Sequence, residues 1–362
     1  MDNYKICVYA ICKNEEKFID RWYNSVKNAD YVVVMDTGST DNSFQKLQEK
    51  PNIILQQKII NPWRFDVARN ESLKLIPKDT DICICVDLDE ILTAGWRESL
   101  TAAWSNNTTR GFYTYIWNFL PDGKPGVILQ KEKVHTLKDY IWTHACHEIL
   151  EKITDGPEIA VSIPNFVIEH HADNTKSRGS YLNLLAIDVQ ERPDDDRARH
   201  YYGRELMFYG RNEEAIEQFK IHLSLPKAIW EPERCASMRY IARCSSTLEE
   251  KERWLFRALG EASYLREPWY DMALVQYYKQ DWDAVIFYAE SGLKIKENHY
   301  FYTNDPVAWH EGFYDLLSIA YYYKENYEKA YENICLACEE NNTDLRLKEN
   351  KLKLEKFQNV HL

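Results

Sequence analysis

The 362-residue sequence carries 45% hydrophobic and 28% charged residues, a balance that excludes long disorder and leaves room for two domains. Its 57 acidic against 45 basic side chains give a net charge of −12, which disfavours broad attraction to nucleic acid or to anionic lipid. No run is long enough to span a membrane, and nine cysteines behind no legible export signal point to reduced thiols in a cytoplasmic setting.

In chain order, strands are expected at Ile6 to Ile11, Tyr31 to Met35, Ile53 to Gln56, Ile82 to Val86, Gly111 to Trp117 and Val127 to Gln130. The first four are apolar enough to be buried on both faces, and a helical stretch from Glu16 to Lys27 joins the first pair, the βαβ pattern of a parallel sheet. After Asp173 strand signals vanish and amphipathic helices follow. These repeat: an apolar helix, a polar turn, then a second helix opening with Ala215, Ala284 or Ala330. The alanines lie 69 and 46 residues apart, and 69 is about twice the roughly 34-residue tetratricopeptide period. A degenerate unit around Arg253 to Ala262 fills the first interval, and an insertion from Glu297 to His310 lengthens the second. Residues 1–175 are thus read as an α/β nucleotide-binding domain and 176–362 as an all-α tetratricopeptide-like domain, with a linker near Asp173 to Arg178. Cys335 and Cys338 form a lone CxxC, read as one helical face rather than a zinc site, which needs a second ligand pair.

Four constellations carry chemistry. Asp36, at the end of the second strand before Thr37, Gly38, Ser39, Thr40 and Asp41, can accept hydrogen bonds from a base or ribose where open α/β sheets bind ligands. Thr40 or Asp41 can equally cap the next helix. Asp87 and Asp89 follow the apolar ICICV run, and alternation places both on one side of an extended strand end, facing one Mg²⁺ or Mn²⁺. In WRFDVARN, Arg69 either pairs with Asp66 three residues earlier or reaches a base or phosphate. Finally, Trp142, His144, His147 and Glu148, then His170 and His171, gather four of the ten histidines; Glu148 is the candidate general base and a later His the candidate metal ligand. Trp117, Trp142 and His147 are read as lining the acceptor or donor-sugar pocket.

Together, ICKNEE, MDTGSTDNS, RFDVARN and VDLDEIL resemble, in order and spacing, the family 2 glycosyltransferases of the GT-A fold over roughly residues 5–175. The resemblance implies a nucleotide-sugar donor such as a UDP-sugar, a divalent cation and inversion at the anomeric carbon. By position, Asp36 and Arg69 would hold the base, Glu15 and Asp66 would shape its pocket, and the backbone at Ala10 would flank the nucleoside. Asp87 would meet the ribose or cation, Asp89 the metal, and His170 or His171 would be the late metal-binding His. The helical half is similar in architecture to that of bacteriocin S-glycosyltransferases, implying a homodimer through that domain and a peptide, protein or glycan acceptor. Two other readings are an inactive adaptor and a nucleotidyltransferase.

Overall fold

A computed structural model describes residues 4–119, 123–173, 179 and 181–358. The linker expected over Asp173 to Arg178 falls, apart from Asp173, outside the described residues. The chain divides into two compact units, Met1–Asp188 and Val189–Leu362.

In the first unit the chain runs β1 (Ile6–Cys12), α1 (Ile19–Val26), β2 (Tyr31–Asp36), α2 (Ser43–Gln48), β3 (Ile53–Gln57), α3 (Phe65–Leu73) and β4 (Ile82–Cys85). There follow β5 (Glu90–Leu92), α4 (Trp96–Ala103), β6 (Arg110–Ile116), β7 (Ile128–His135), β8 (Tyr140–Thr143), β9 (Ile149–Lys152) and β10 (Ala160–His170). Eight strands form one sheet in the order β3-β2-β1-β4-β7-β6-β10-β5, and β8 pairs with β9 as a separate ribbon. The first four strands are parallel, as expected; β7 then runs antiparallel to both β4 and β6, so the whole sheet is mixed. β1 and β4 are buried on both faces: one face lies in a cluster with Trp22 of α1, the other in a cluster with Tyr140, Trp142 and Leu150 of the β8–β9 ribbon. The expectation that β3 is equally buried is corrected: it is the sheet edge, its Ile53 to Leu55 half-buried and Gln56 and Gln57 exposed. Tyr9 lies opposite Cys85 and Cys12 opposite Asp36, so the turns after β1, β2 and β4 emerge side by side at their carboxyl ends.

Helix α5 (Tyr181–Glu191) crosses from the first unit into the second. The second unit stacks four antiparallel-type helix pairs: α6 (Asp196–Phe208) with α7 (Asn212–Ser224), α8 (Glu231–Cys244) with α9 (Leu248–Ala262), α10 (Arg266–Lys279) with α11 (Trp282–Leu293), and α12 (Gly312–Tyr323) with α13 (Tyr327–Glu340). A last helix, α14 (Leu345–Gln358), packs on α13. Side chains of Asp195, Thr247, Asp281 and Asn326 accept the third amide of their helices, satisfying donors that a helix start leaves open. Pairs approach closely at glycine: a Cβ on Gly292 would stand 2.3 Å from Phe313 Cζ. Ala215 and Ala330 occupy the fourth position of their helices, fully buried, but Ala284 does not. In α11 that buried place is taken by Val285, so the repeat is read correctly only when Val285 replaces Ala284. The expected insertion is the segment between α11 and α12, which holds a 3-10 turn at Pro306–Ala308. It folds back on the array, with Asp305 paired to Arg243 at 2.6 Å and Trp309 Nε1 donating to Glu267 at 2.8 Å. Cys335 and Cys338 are half-buried on α13. Among the described residues, no helix is long and apolar enough to cross a membrane.

Candidate active site

The turn after β2 is organised by Asp36. Its Oδ1 accepts the Gly38 and Ser39 amides at 3.0 and 2.9 Å and Gln57 Nε2 at 2.9 Å, while Oδ2 takes the Ser39 hydroxyl. A carboxylate offers about four acceptor directions, two per oxygen; three donors crowd Oδ1 here, whereas Oδ2 takes one. Gly38 has φ +103°, a backbone only glycine adopts without strain. A base or ribose at Asp36 therefore has Oδ2 to bond to, since Oδ1 is already taken. Asn14, in the left-handed region, receives the Thr40 amide at 2.7 Å, and the Glu15 amide donates to Ser43 Oγ at 2.7 Å, tying the β1 turn to the β2 turn. Asp41 Oδ1 accepts the Ser43 amide at 2.9 Å and so holds the start of α2, the bland role weighed for it. Ala10 sits inside β1 opposite Val34, and its side chain belongs to the core.

Arg69 is the hub of the second layer. Only 4% exposed, it donates through Nη1 and Nη2 to Asp87 at 2.7 and 3.0 Å and through Nε to Glu148 at 2.5 Å. Its guanidinium also stacks 5.0 Å from the Trp142 ring. The pairing of Asp66 with Arg69 is corrected: Asp66 is held instead by Arg64, at 3.0 and 2.9 Å, because Arg64 is still extended ahead of α3 and folds onto the first turn. Arg69's contacts are with the site's own carboxylates, which leaves little of its fork for a base. Trp142 as a sugar-stacking ring is also corrected. It is 2% exposed, its Nε1 donates to Tyr9 Oη at 2.9 Å, and Asn70 clamps its backbone at 2.7 and 2.9 Å.

Asp87 and Asp89 do not share one side of an extended strand. β4 ends at Cys85, and the Glu90 amide returns to Asp87 O at 2.9 Å, so the four residues form a turn that sends the two carboxylates to different partners. Asp87 takes Arg69 and, at 3.1 Å, Lys133. Burial pushes its carboxyl up, but the Arg69 and Lys133 charges outweigh that and hold it well below the usual carboxylate range. Asp89 Oδ2 instead faces His170 Nε2 at 3.4 Å. His170 Nδ1 meets the Trp117 carbonyl at 2.9 Å, an outer contact that fixes the tautomer with a lone pair on Nε2, as metal-binding imidazoles require. His171 turns to Glu169 at 3.2 Å and stacks on Phe119 at 5.0 Å. Of the two histidines, only His170 turns a ring nitrogen to the Asp89 carboxylate.

His147, in the left-handed region, packs edge-on to Tyr181 at 5.9 Å, while its neighbour Glu148 turns to Arg69. Asp188, to which sequence reasoning gave no role, fixes this loop by accepting the Ala145 and Cys146 amides at 2.6 and 3.1 Å. Trp117 is 46% exposed and lies 5.1 Å from the His170 ring. Sequence reasoning missed Lys131 and Lys133, two residues apart on β7, and gave Glu90 no role. Glu90 is 2% exposed, receives the Tyr115 hydroxyl at 2.8 Å and lies 3.8 Å from Lys133. The signal was the alternation of lysines in QKEKVH, which puts both on one strand face. A further group in the helical unit, Asp196, His222 and Glu233, closes on itself: Ser237 Oγ holds His222 Nδ1 at 2.9 Å, and Nε2 faces Glu233 at 3.2 Å.

Residues 7–173 match the model of the family described as glycosyl transferase family 2. No curated protein matches the chain. Among solved structures the chain is similar to the MamA protein at 17% identity, covering 44% of this chain and 81% of that one with a TM-score of 0.35. It is also similar to TTC0263, a thermophilic TPR protein of Thermus thermophilus, at 15% identity, 49% and 89% coverage and a TM-score of 0.36. Pseudomonas aeruginosa PilF aligns at 13% identity, with 47% and 72% coverage and a TM-score of 0.38. Residues 7–173 thus carry a glycosyl transferase family 2 domain, which supports glycosyltransferase-type activity in general terms, and the helix pairs of the second unit follow it.

Proposed function

We propose that the protein is an inverting, cation-dependent glycosyltransferase that moves a sugar from a UDP-sugar to a peptide, protein or glycan acceptor. The observation that carries the cation reading is the Asp89 and His170 pair, with His170 oriented by the Trp117 carbonyl. One carboxylate and one imidazole leave room for phosphate oxygens and water, the coordination Mn²⁺ or Mg²⁺ prefers in diphosphate sites. When bound there, such a cation supplies positive charge to the departing diphosphate.

The chain's own residues do the rest. Arg69 holds Glu148 by Oε1, leaving Oε2 to accept the proton of the acceptor nucleophile. As the bond from nucleophile to anomeric carbon forms, the bond from that carbon to the diphosphate oxygen breaks, and the electron pair leaves with the diphosphate. Asp87, itself pinned by Lys133, keeps Arg69 from swinging away. The exposed Trp117 ring offers a face for the sugar. Free thiols at all nine cysteines suit a cytoplasmic setting, and a homodimer through the helical unit is part of the same proposal.

The test is a screen of UDP-sugars for Mn²⁺-dependent hydrolysis or transfer by wild-type, Asp89→Asn and His170→Gln proteins. Wild-type turnover that EDTA abolishes and both variants lower at least 100-fold supports the reading. Undiminished turnover by a folded Asp89→Asn protein removes the cation site, and release of pyrophosphate rather than a nucleoside diphosphate makes the enzyme a nucleotidyltransferase.

A further inference from the structure

Lys131 is a cation with no carboxylate of its own. Its ammonium lies 3.9 Å from the centre of the Tyr115 ring and 5.4 Å from that of Trp117. Among the described residues it makes no hydrogen bond or ion pair, although acidic groups are close. Each of those is already committed: Asp87 to Arg69 and Lys133, Glu148 to Arg69, Glu90 to Tyr115 and Lys133. The aromatic faces supply some compensation through their negative quadrupole. Burial and the neighbouring Lys133 charge bring the ammonium down to about 8, so it stays mostly protonated at neutral pH while lacking a counter-ion.

Placement gives the lysine a direction. The Tyr115 and Trp117 rings that carry Lys131 also flank His170, at 6.1 and 5.1 Å between ring centres. The ammonium is therefore built into the same wall as the Asp89 and His170 pair. Lys133 on the same strand reaches Asp87 and Glu90, whereas Lys131, equally half-buried, lies against the two rings instead.

We propose that Lys131, backed by Tyr115 and Trp117, forms an anion subsite that pairs with an anionic oxygen of the bound donor, either a phosphate or a carboxylate on the transferred sugar. This rests on the reading of the site as a nucleotide-sugar site. It adds a residue-level requirement for a negative group beside the stacked rings, and it leaves Asp89 and His170 to the cation.

The experiment is calorimetric titration of the full chain at fixed Mn²⁺ with UDP, uridine, UDP-glucose, UDP-glucuronate and inorganic pyrophosphate. Wild-type, Lys131→Met and Lys131→Arg proteins are compared. Met keeps the apolar stem against the rings and removes the charge; Arg keeps a charge. If the partner is a phosphate, Lys131→Met binds UDP and pyrophosphate about 10 to 100 times more weakly while uridine is unchanged, and Lys131→Arg recovers part of the loss. If it is a sugar carboxylate, wild-type protein prefers UDP-glucuronate to UDP-glucose at least 10-fold, and Lys131→Met erases that preference with UDP unaffected. Binding of every probe by Lys131→Met within twofold of wild type overturns the subsite and leaves the donor reading standing. Wild-type protein that binds pyrophosphate but no uridine compound overturns the uridine assignment, and the loss of pyrophosphate in Lys131→Met then still upholds the subsite. Wild-type protein that binds none of the probes overturns both.

Discussion

Replacing Arg69 with methionine tests whether one guanidinium holds the site together. The side chain is 5% exposed and bridges Asp87 and Glu148, whose side chains are 25% and 12% exposed. Asp87 retains Lys133 after the change, but Glu148 loses the cation it pairs with and Trp142 loses the group stacked on it. Breaking one side of a buried ion pair costs about 3–5 kcal/mol. Because Asp87 keeps a partner, the expected loss lies near the lower end, about 3 kcal/mol for the first unit. Hydrogen exchange followed by mass spectrometry measures this directly, since peptides from α3 and β4 report the first unit separately from the helical one. Adding Glu148→Gln should return part of the loss by removing the stranded carboxylate, with a coupling of about 1 kcal/mol or more. Arg69→Lys should fall short of wild type, because a single ammonium cannot face two carboxylates as a planar fork does. Protection of α3 and β4 in Arg69→Met within about 1 kcal/mol of wild type would refute the hub.

Three further outcomes follow from the same geometry. His135 is fully buried as a neutral ring, Nε2 meeting Tyr9 Oη at 2.8 Å and Nδ1 the Thr136 carbonyl at 2.8 Å, and burial lowers its pKa from 6.5 to about 4. The unfolded chain then binds the extra proton first, so stability is present above pH 6.5 and is lost as pH falls toward 4, by about 3 kcal/mol in all. Denaturation of wild-type and His135→Gln proteins from pH 7 to 4.5 should show a steeper fall in wild type; parallel curves would contradict this. His170→Gln should weaken Mn²⁺ binding by 100-fold or so, whereas His171→Gln should change it little; equal effects would mean that the Trp117 contact does not select the ligand. Gly292→Ala should destabilise the helical unit by about 1–3 kcal/mol through overpacking against Phe313, read as lost protection in α11 and α12, and no loss would mean that α11 and α12 can separate freely.

The sequence is most legible where burial dictates residue type. The apolar runs at Ile6 and Ile82 are covered on both faces, so hydrophobicity alone locates β1 and β4. The turn after β2 is legible because sharp loops demand Asn, Gly, Ser and Asp, and Asp36 and Gly38 sit where those demands fall. What spacing could not supply was competition among partners. Asp66 and Arg69 are correctly spaced for a helical pair, yet Arg64 takes Asp66 and two carboxylates distant in sequence, Asp87 and Glu148, take Arg69. Trp142 carries the aromatic character of a sugar platform, but Tyr9, 133 residues away, turns it into core.

Strand β7 shows why the remaining loss was systematic. Its expected end was Gln130, where apolar residues give way to Lys131, Glu132 and Lys133, whereas the strand continues to His135. A period-two reading assumes that the inward face of a strand is apolar. Here that face meets Asp87, Glu90 and the rings of Tyr115 and Trp117, so the inward residues are lysines and the rule inverts. The same inversion hid β5, which opens with the buried Glu90. A strand that disappears from a hydrophobic pattern while its neighbours persist is thus itself a pointer to the polar side of a site, because only paired charges make such burial tolerable.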